Sequence, residues 1–213
     1  MTTAVLGFTS LTLVSLVITL YADKRGDLRL RRIGKPLAST GFLGVGVAAG
    51  ALDSAFGVAI FVGLCLGFVG DVMLMWRDRR CFTIGLFAFL LGHIAYCVAF
   101  AIRGVDLTWL VAVGGVFLIL DGVLLRWLWP HVERPLRGPV IAYIVVISAM
   151  VALAAGSVAI QSAPLLLLGA VLFCLSDVSV ARDRFLHAGF GNVLWGLTAY
   201  YVGQLLLAYS AGG

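Results

Sequence analysis

Charge is scarce in this chain. Only 12% of its 213 residues are Asp, Glu, Lys or Arg, about half of what a globular protein uses to keep its surface wet. Together with a mean hydropathy of +1.10 this excludes a soluble fold. The four cysteines are scattered, without a CxxC pair, which excludes a disulfide scaffold and a Cys-ligated zinc site. Histidine is rarer still. His131 and His187 fall in or near predicted loops, so a three-histidine zinc site is not expected, and no metal ligands are assigned. The 26 glycines follow no triplet period, and no linker or low-complexity tract divides the chain, so one domain over 1–213 is expected. What is abundant is apolar side chain, 62% of the total, as in a polytopic membrane protein.

A membrane span needs about 20 mostly apolar residues, and cutting the chain where charges cluster leaves eight such pieces. They are 4–21, 36–51, 55–76, 82–102, 107–125, 139–156, 163–181 and 185–209. None alternates with period two, and each is too long for a barrel strand, so helices must satisfy the backbone in lipid. The expected fold is all-α, a bundle of eight transmembrane helices with both termini outside the cytoplasm.

The basic residues test this count. Lys24, Arg25, Arg29, Arg31, Arg32, Lys35, Arg77, Arg79, Arg80, Arg126, Arg134, Arg137, Arg182 and Arg184 all fall on one side, and only Arg103 on the other. Basic residues mark cytoplasmic loops, so that side is predicted to face the cytoplasm. The same residues account for the pI near 9.3 without nucleic-acid binding, with anionic lipid as their other partner. The first apolar stretch has no basic residue before it and six after it, which reads as an outward-facing anchor rather than a cleaved signal. Helix three ends in GDVMLMWRDRRCF and helix seven in SDVSVARDRF, with Asp71 and Asp177 106 residues apart. A duplication of four helices, giving parallel halves, predicts such a spacing.

Three carboxyls fall inside the spans: Asp71, Asp121 and Asp177. Each would cost roughly 2.5–3.5 kcal/mol if ionised at mid-membrane, so partners or neutralisation are required. All three lie in helices that run toward the basic side, one or two turns from its exit, and so share a level. Asp71 and Asp177 sit near helix C-termini, where the macrodipole disfavours a carboxylate. Lys35, Tyr143 and Asn192 are predicted at the same level, and His93 deeper, on a face shared with Gly85, Phe89, Gly92 and Tyr96. In the last helix Gly189, Asn192, Gly196, Ala199 and Gly203 form a small-residue stripe suited to close helix packing.

These residues resemble a known family of membrane proteins, the YhhN-like lysoplasmalogenases. The resemblance rests on KP at Lys35 and Pro36, GD at Gly70 and Asp71, and FxxGxxxFxxxHxxY through Phe82, Gly85, Phe89, His93 and Tyr96. It continues with PVxxY ending at Tyr143, GAxLFxxSD ending at Asp177, and YYxxQ from Tyr200 to Gln204. It implies hydrolysis of the vinyl-ether bond of a lysophospholipid, releasing a fatty aldehyde and a glycerophospho-base with no cofactor, in a multi-pass protein of a bacterial cytoplasmic membrane.

That reaction begins when an acid protonates the outer alkene carbon, and the resulting oxocarbenium ion then takes up water. A carboxyl pair suffices when one member is protonated and the other ionised. Glycosidases treat a related cation in this way. Asp71 and Asp177 are the candidate catalytic pair. Lys35, His93, Tyr96, Asp121, Tyr143 and Asn192 are the candidate substrate-binding residues, with Lys35 or a neighbouring Arg holding the phosphate. Intramembrane carboxyls also suit a proton-coupled carrier of a lipid or small molecule, which would move its cargo without a chemical product.

Overall fold

The structure, a computed structural model, describes residues 2–76, 78–187 and 189–212. The described residues form eight α-helices and no strands: α1 (Thr3–Arg25), α2 (Leu28–Ala48), α3 (Ala55–Met73), α4 (Arg79–Arg103), α5 (Leu107–Leu128), α6 (Arg137–Ile160), α7 (Pro164–Phe185) and α8 (Phe190–Ser210). Two 3-10 turns, Trp129–His131 and Arg134–Leu136, link α5 to α6, each with a proline in its first turn, where a missing N–H costs nothing. The protein is a multi-pass membrane protein: six helices, α1 and α3 to α7, are long and apolar enough to cross a bilayer.

Local chemistry sets the helix ends. Gly26 closes α1 in the left-handed region at φ 70°, where a side chain would be strained. Asp27 then caps α2 by accepting from the Arg29 and Leu30 amides, both at 3.0 Å. The basic stretch 28–35, predicted as loop, is therefore helical, and α2 starts eight residues before the expected Pro36. This early start brings Arg29, Arg31, Arg32 and Lys35 into α2, which explains why α2 is absent from the six most apolar helices. At the other end of the chain α7 runs on to Phe185, past the expected Ala181, with Arg182 and Arg184 favourably placed in its last turn.

Neighbouring helices approach closely where small residues meet. A Cβ on Gly41 of α2 would stand 2.8 Å from the Phe8 carbonyl oxygen and the Thr12 nitrogen of α1. Gly169 of α7 and Gly203 of α8 are reciprocal: a Cβ on either would stand 3.0 Å from the other's carbonyl oxygen. Within the predicted α8 stripe, Gly196 and Gly203 press on α7, whereas Gly189 meets nothing.

The helices pair in order, α1 with α2, α3 with α4, α5 with α6 and α7 with α8. Between these pairs α2 meets α3, α6 meets α7, α4 meets α6, and α8 meets both α2 and α1. Buried aromatics fill the centre, including Phe42, Tyr96, Phe100, Phe173 and Tyr201. The described basic residues of the predicted cytoplasmic side lie at the ends of α1, α5 and α7, in the connection from α5 to α6 and at the starts of α2, α4 and α6. Arg77, assigned to the same group, lies outside the described residues. Arg103 ends α4 at the opposite end, over the Phe56 ring.

Candidate active site

A cavity of about 630 Å³ opens among the helix ends on the basic side, and Asp71, Asp121 and Asp177 all line it. Its walls come from the starts of α2, α4, α6 and α8 and the ends of α3, α5 and α7, and are mostly apolar: Phe82, Leu86, Phe117, Leu124 and Ile144 are typical. Such a volume accommodates a small amphiphile.

Asp71, on α3, is 1% exposed and has its two oxygens bound by α2. Lys35 Nζ lies 3.2 Å from Oδ1, and the Ser39 hydroxyl donates to Oδ2 at 2.7 Å. The site is braced from α8, where the Tyr201 hydroxyl donates to the Lys35 carbonyl at 3.3 Å. Desolvating two charges is costly, and what offsets it here is direct pairing plus a hydrogen bond to the remaining oxygen. Ser39 follows Lys35 by one helical turn, so both project on one face of α2.

Asp177, on α7, has different neighbours. The Tyr143 hydroxyl of α6 donates to Oδ1 at 3.1 Å, and His93 Nε2 of α4 lies 2.9 Å from Oδ2. The His93 ring is fully buried, stacked on Phe173 with centroids 4.2 Å apart, and its Nδ1 is 2.7 Å from the Phe89 carbonyl. His93 does not line the cavity; Asp177 stands between it and the open space. The third carboxyl, Asp121, faces the cavity from α5 and accepts from Ser148 at 2.8 Å.

The remaining predicted residues divide. Lys35, Tyr143 and Asn192 line the cavity. Asn192 also ties α8 to α7, its side-chain amide donating to the Ser179 carbonyl at 2.8 Å while its main-chain carbonyl accepts from the Ser179 hydroxyl at 3.0 Å. Tyr96 is not among the residues that line the cavity. It is fully buried outside the cavity lining, its ring against Gly63 and its hydroxyl donating to Gln204 Oε1 at 2.6 Å. The face it shares with His93 points into the helix packing. Tyr96→Phe leaves the buried Gln204 oxygen without its donor and is expected to cost about 1–3 kcal/mol of stability, with turnover per folded molecule unchanged. Thermal unfolding in detergent, read beside turnover, checks both.

Cationic side chains also line the cavity. Lys35 is committed to Asp71, which leaves the arginines lining the cavity, Arg31 and Arg184. Arg31 Nε pairs with Asp23 Oδ1 at 3.2 Å, whereas Arg184 stacks on Phe82 at 4.4 Å and has no carboxylate partner among the described residues.

Comparison with known proteins identifies the family. The chain is 31% identical over 158 residues to lysoplasmalogenase TMEM86A of Bos taurus, a match that covers 71% of this chain and 64% of that protein. It is 30% identical over 169 residues to lysoplasmalogenase TMEM86A of Homo sapiens, with the same coverage. To lysoplasmalogenase TMEM86B of Homo sapiens it is 32% identical over 145 residues, covering 67% of this chain and 58% of that protein. The matches thus span less than two thirds of these relatives' length. No solved structure matches significantly. The model of the YhhN family matches residues 30–211, nearly the whole chain from the start of α2 to the end of α8, and the protein belongs to that family.

Proposed function

We propose that this protein is an intramembrane hydrolase that cleaves the vinyl-ether bond of a lysoplasmalogen, releasing a fatty aldehyde and a glycerophospho-base. The observation that carries this reading is that Asp71 and Asp177 line one apolar cavity with unlike partners, a cation on the first and a tyrosine and a histidine on the second. Relatives named lysoplasmalogenase point to the same chemistry.

In this scheme Asp71, held ionised by Lys35 and Ser39, stabilises positive charge, and Asp177 supplies the proton. The proton moves from Asp177 to the outer alkene carbon, whose π electrons form the new C–H bond. The positive charge then rests on the adjoining carbon and the ether oxygen. Water attacks that carbon and returns a proton to Asp177, leaving a hemiacetal. Collapse of the hemiacetal breaks the carbon–oxygen bond to the glycerol, as the hydroxyl proton passes to the departing oxygen. One water is consumed and the acid is regenerated. Arg184 at the basic rim holds the phosphate, and the alkenyl chain lies along the apolar wall of α5 and α6.

The same reading makes the chain one domain of eight spans, with the basic end in the cytoplasm and both termini across a bacterial cytoplasmic membrane. A duplication of four helices is supported by position: Lys35 and Tyr143, Asp71 and Asp177, and His93 and Tyr200 are 108, 106 and 107 residues apart. The helix contacts repeat in step, α2 meeting α3 and α8 as α6 meets α7 and α4. Purified protein in detergent, offered lysolipids with vinyl-ether, ether and ester linkages, tests the activity by mass spectrometry of products. Aldehyde from the vinyl-ether lipid alone is the expected result. Flux of lipid across sealed vesicles with no aldehyde would replace the enzyme with a carrier.

A further inference from the structure

Resting on the proposed reaction, we infer that His93 is a positioning residue that shares one proton with Asp177 and so keeps this carboxyl loaded as the acid. The Phe89 carbonyl is an acceptor only, so the His93 Nδ1 that lies 2.7 Å from it carries a hydrogen. In a neutral ring Nε2 is then a bare lone pair. Yet it lies 2.9 Å from Asp177 Oδ2, and neither atom has any other hydrogen-bond partner among the described residues. Two bare acceptors at that distance repel, and a fully buried imidazole has no water to screen them. One proton must therefore belong to the pair, on the carboxyl or on the ring.

The surroundings keep it there. Stacking on Phe173 and the edge of Tyr143 fix the ring plane, and the Nδ1 bond fixes its rotation, so Nε2 cannot turn away from Asp177. Tyr143 occupies the other carboxyl oxygen, which leaves Oδ2 as the carboxyl atom that shares the proton with Nε2. Asp71 has no such arrangement: both its oxygens face donors, Lys35 and Ser39. The two carboxyls thus differ by one proton because of what the neighbouring helices present to them.

The test reads the proton directly. In protein labelled with 15N-histidine, the buried His93 ring is expected to show Nδ1 protonated and Nε2 shifted from the free-acceptor position. In Asp177→Asn the Nε2 signal is expected to move to the acceptor position while Nδ1 stays. Free-acceptor Nε2 in the wild-type protein, or an Nε2 signal that Asp177→Asn leaves in place, would overturn the shared proton. In turnover, His93→Gln keeps a polar group of similar reach but cannot carry the proton, and is expected to lower kcat roughly 100-fold with KM changed less than about threefold. A kcat within threefold of wild type would overturn the assignment. If wild-type protein releases no aldehyde, the proposed reaction falls, and the nitrogen signals still decide whether the proton is shared.

Discussion

Asp177→Asn is expected to lower aldehyde release by about 10²–10⁴-fold, the range typical of removing a general acid. The substitution is close to isosteric and keeps an acceptor for the Tyr143 hydroxyl, so the α6 to α7 contact survives and the loss falls on chemistry. What it removes is the transferable proton. The amide cannot protonate an alkene, and water in an apolar cavity is a poor substitute. Turnover is measured per folded molecule, with folding judged by gel filtration in detergent. Activity within tenfold of wild type would remove Asp177 from the role of acid, whatever the position of its side chain. Substrate binding should change little, because the proposed scheme places the phosphate at Arg184 and the alkenyl chain along α5 and α6.

The largest expected effect on stability belongs to Lys35→Met. It leaves the Asp71 carboxylate buried without its cation, with only neutral hydroxyls such as that of Ser39 beside it, and breaking a buried pair from one side typically costs about 3–5 kcal/mol. Replacing both members behaves differently, since no charge is then left without a partner. Lys35→Met with Asp71→Asn is therefore expected to recover most of the stability lost by Lys35→Met alone, while aldehyde release stays at background. Unfolding temperatures of the two single variants and the double variant, measured in one detergent, give the coupling. If the double variant is no more stable than Lys35→Met, the pair is not a buried ion pair and Asp71 does not supply the fixed negative charge that the mechanism uses. Recovery of stability without recovery of turnover would separate what holds the bundle together from what performs the reaction.

Much of the fold was legible because the cost of leaving lipid is a local property of the chain. Long apolar runs located all eight helices, and the three carboxyls inside them stood out as residues that needed partners. The boundaries failed where charge is compatible with helix. Residues 28–35 look like a cytoplasmic loop by hydropathy, but the Asp27 cap and good helix formers continue α2 through them. Within α2, Lys35 and Ser39 stand one turn apart on a shared face, both against Asp71. Periodicity likewise grouped Tyr96 with His93, although it reports which side of a helix is buried and not what lies opposite. Gln204 lies opposite Tyr96, and Asp177 lies opposite His93.

The composition and the spacing of charges were sufficient to determine a membrane bundle, its basic end, and a short set of polar residues too costly to leave unpaired. Which of those residues met was decided by tertiary structure alone. Lys35 reaches Asp71 and His93 reaches Asp177 because α2 packs on α3, and α4 and α6 close around α7. The two aspartates are the same residue type, each followed by valine in the chain. Their difference arises from the electric environment that other helices bring within 3 Å or so, a distance across the bundle that no local pattern encodes.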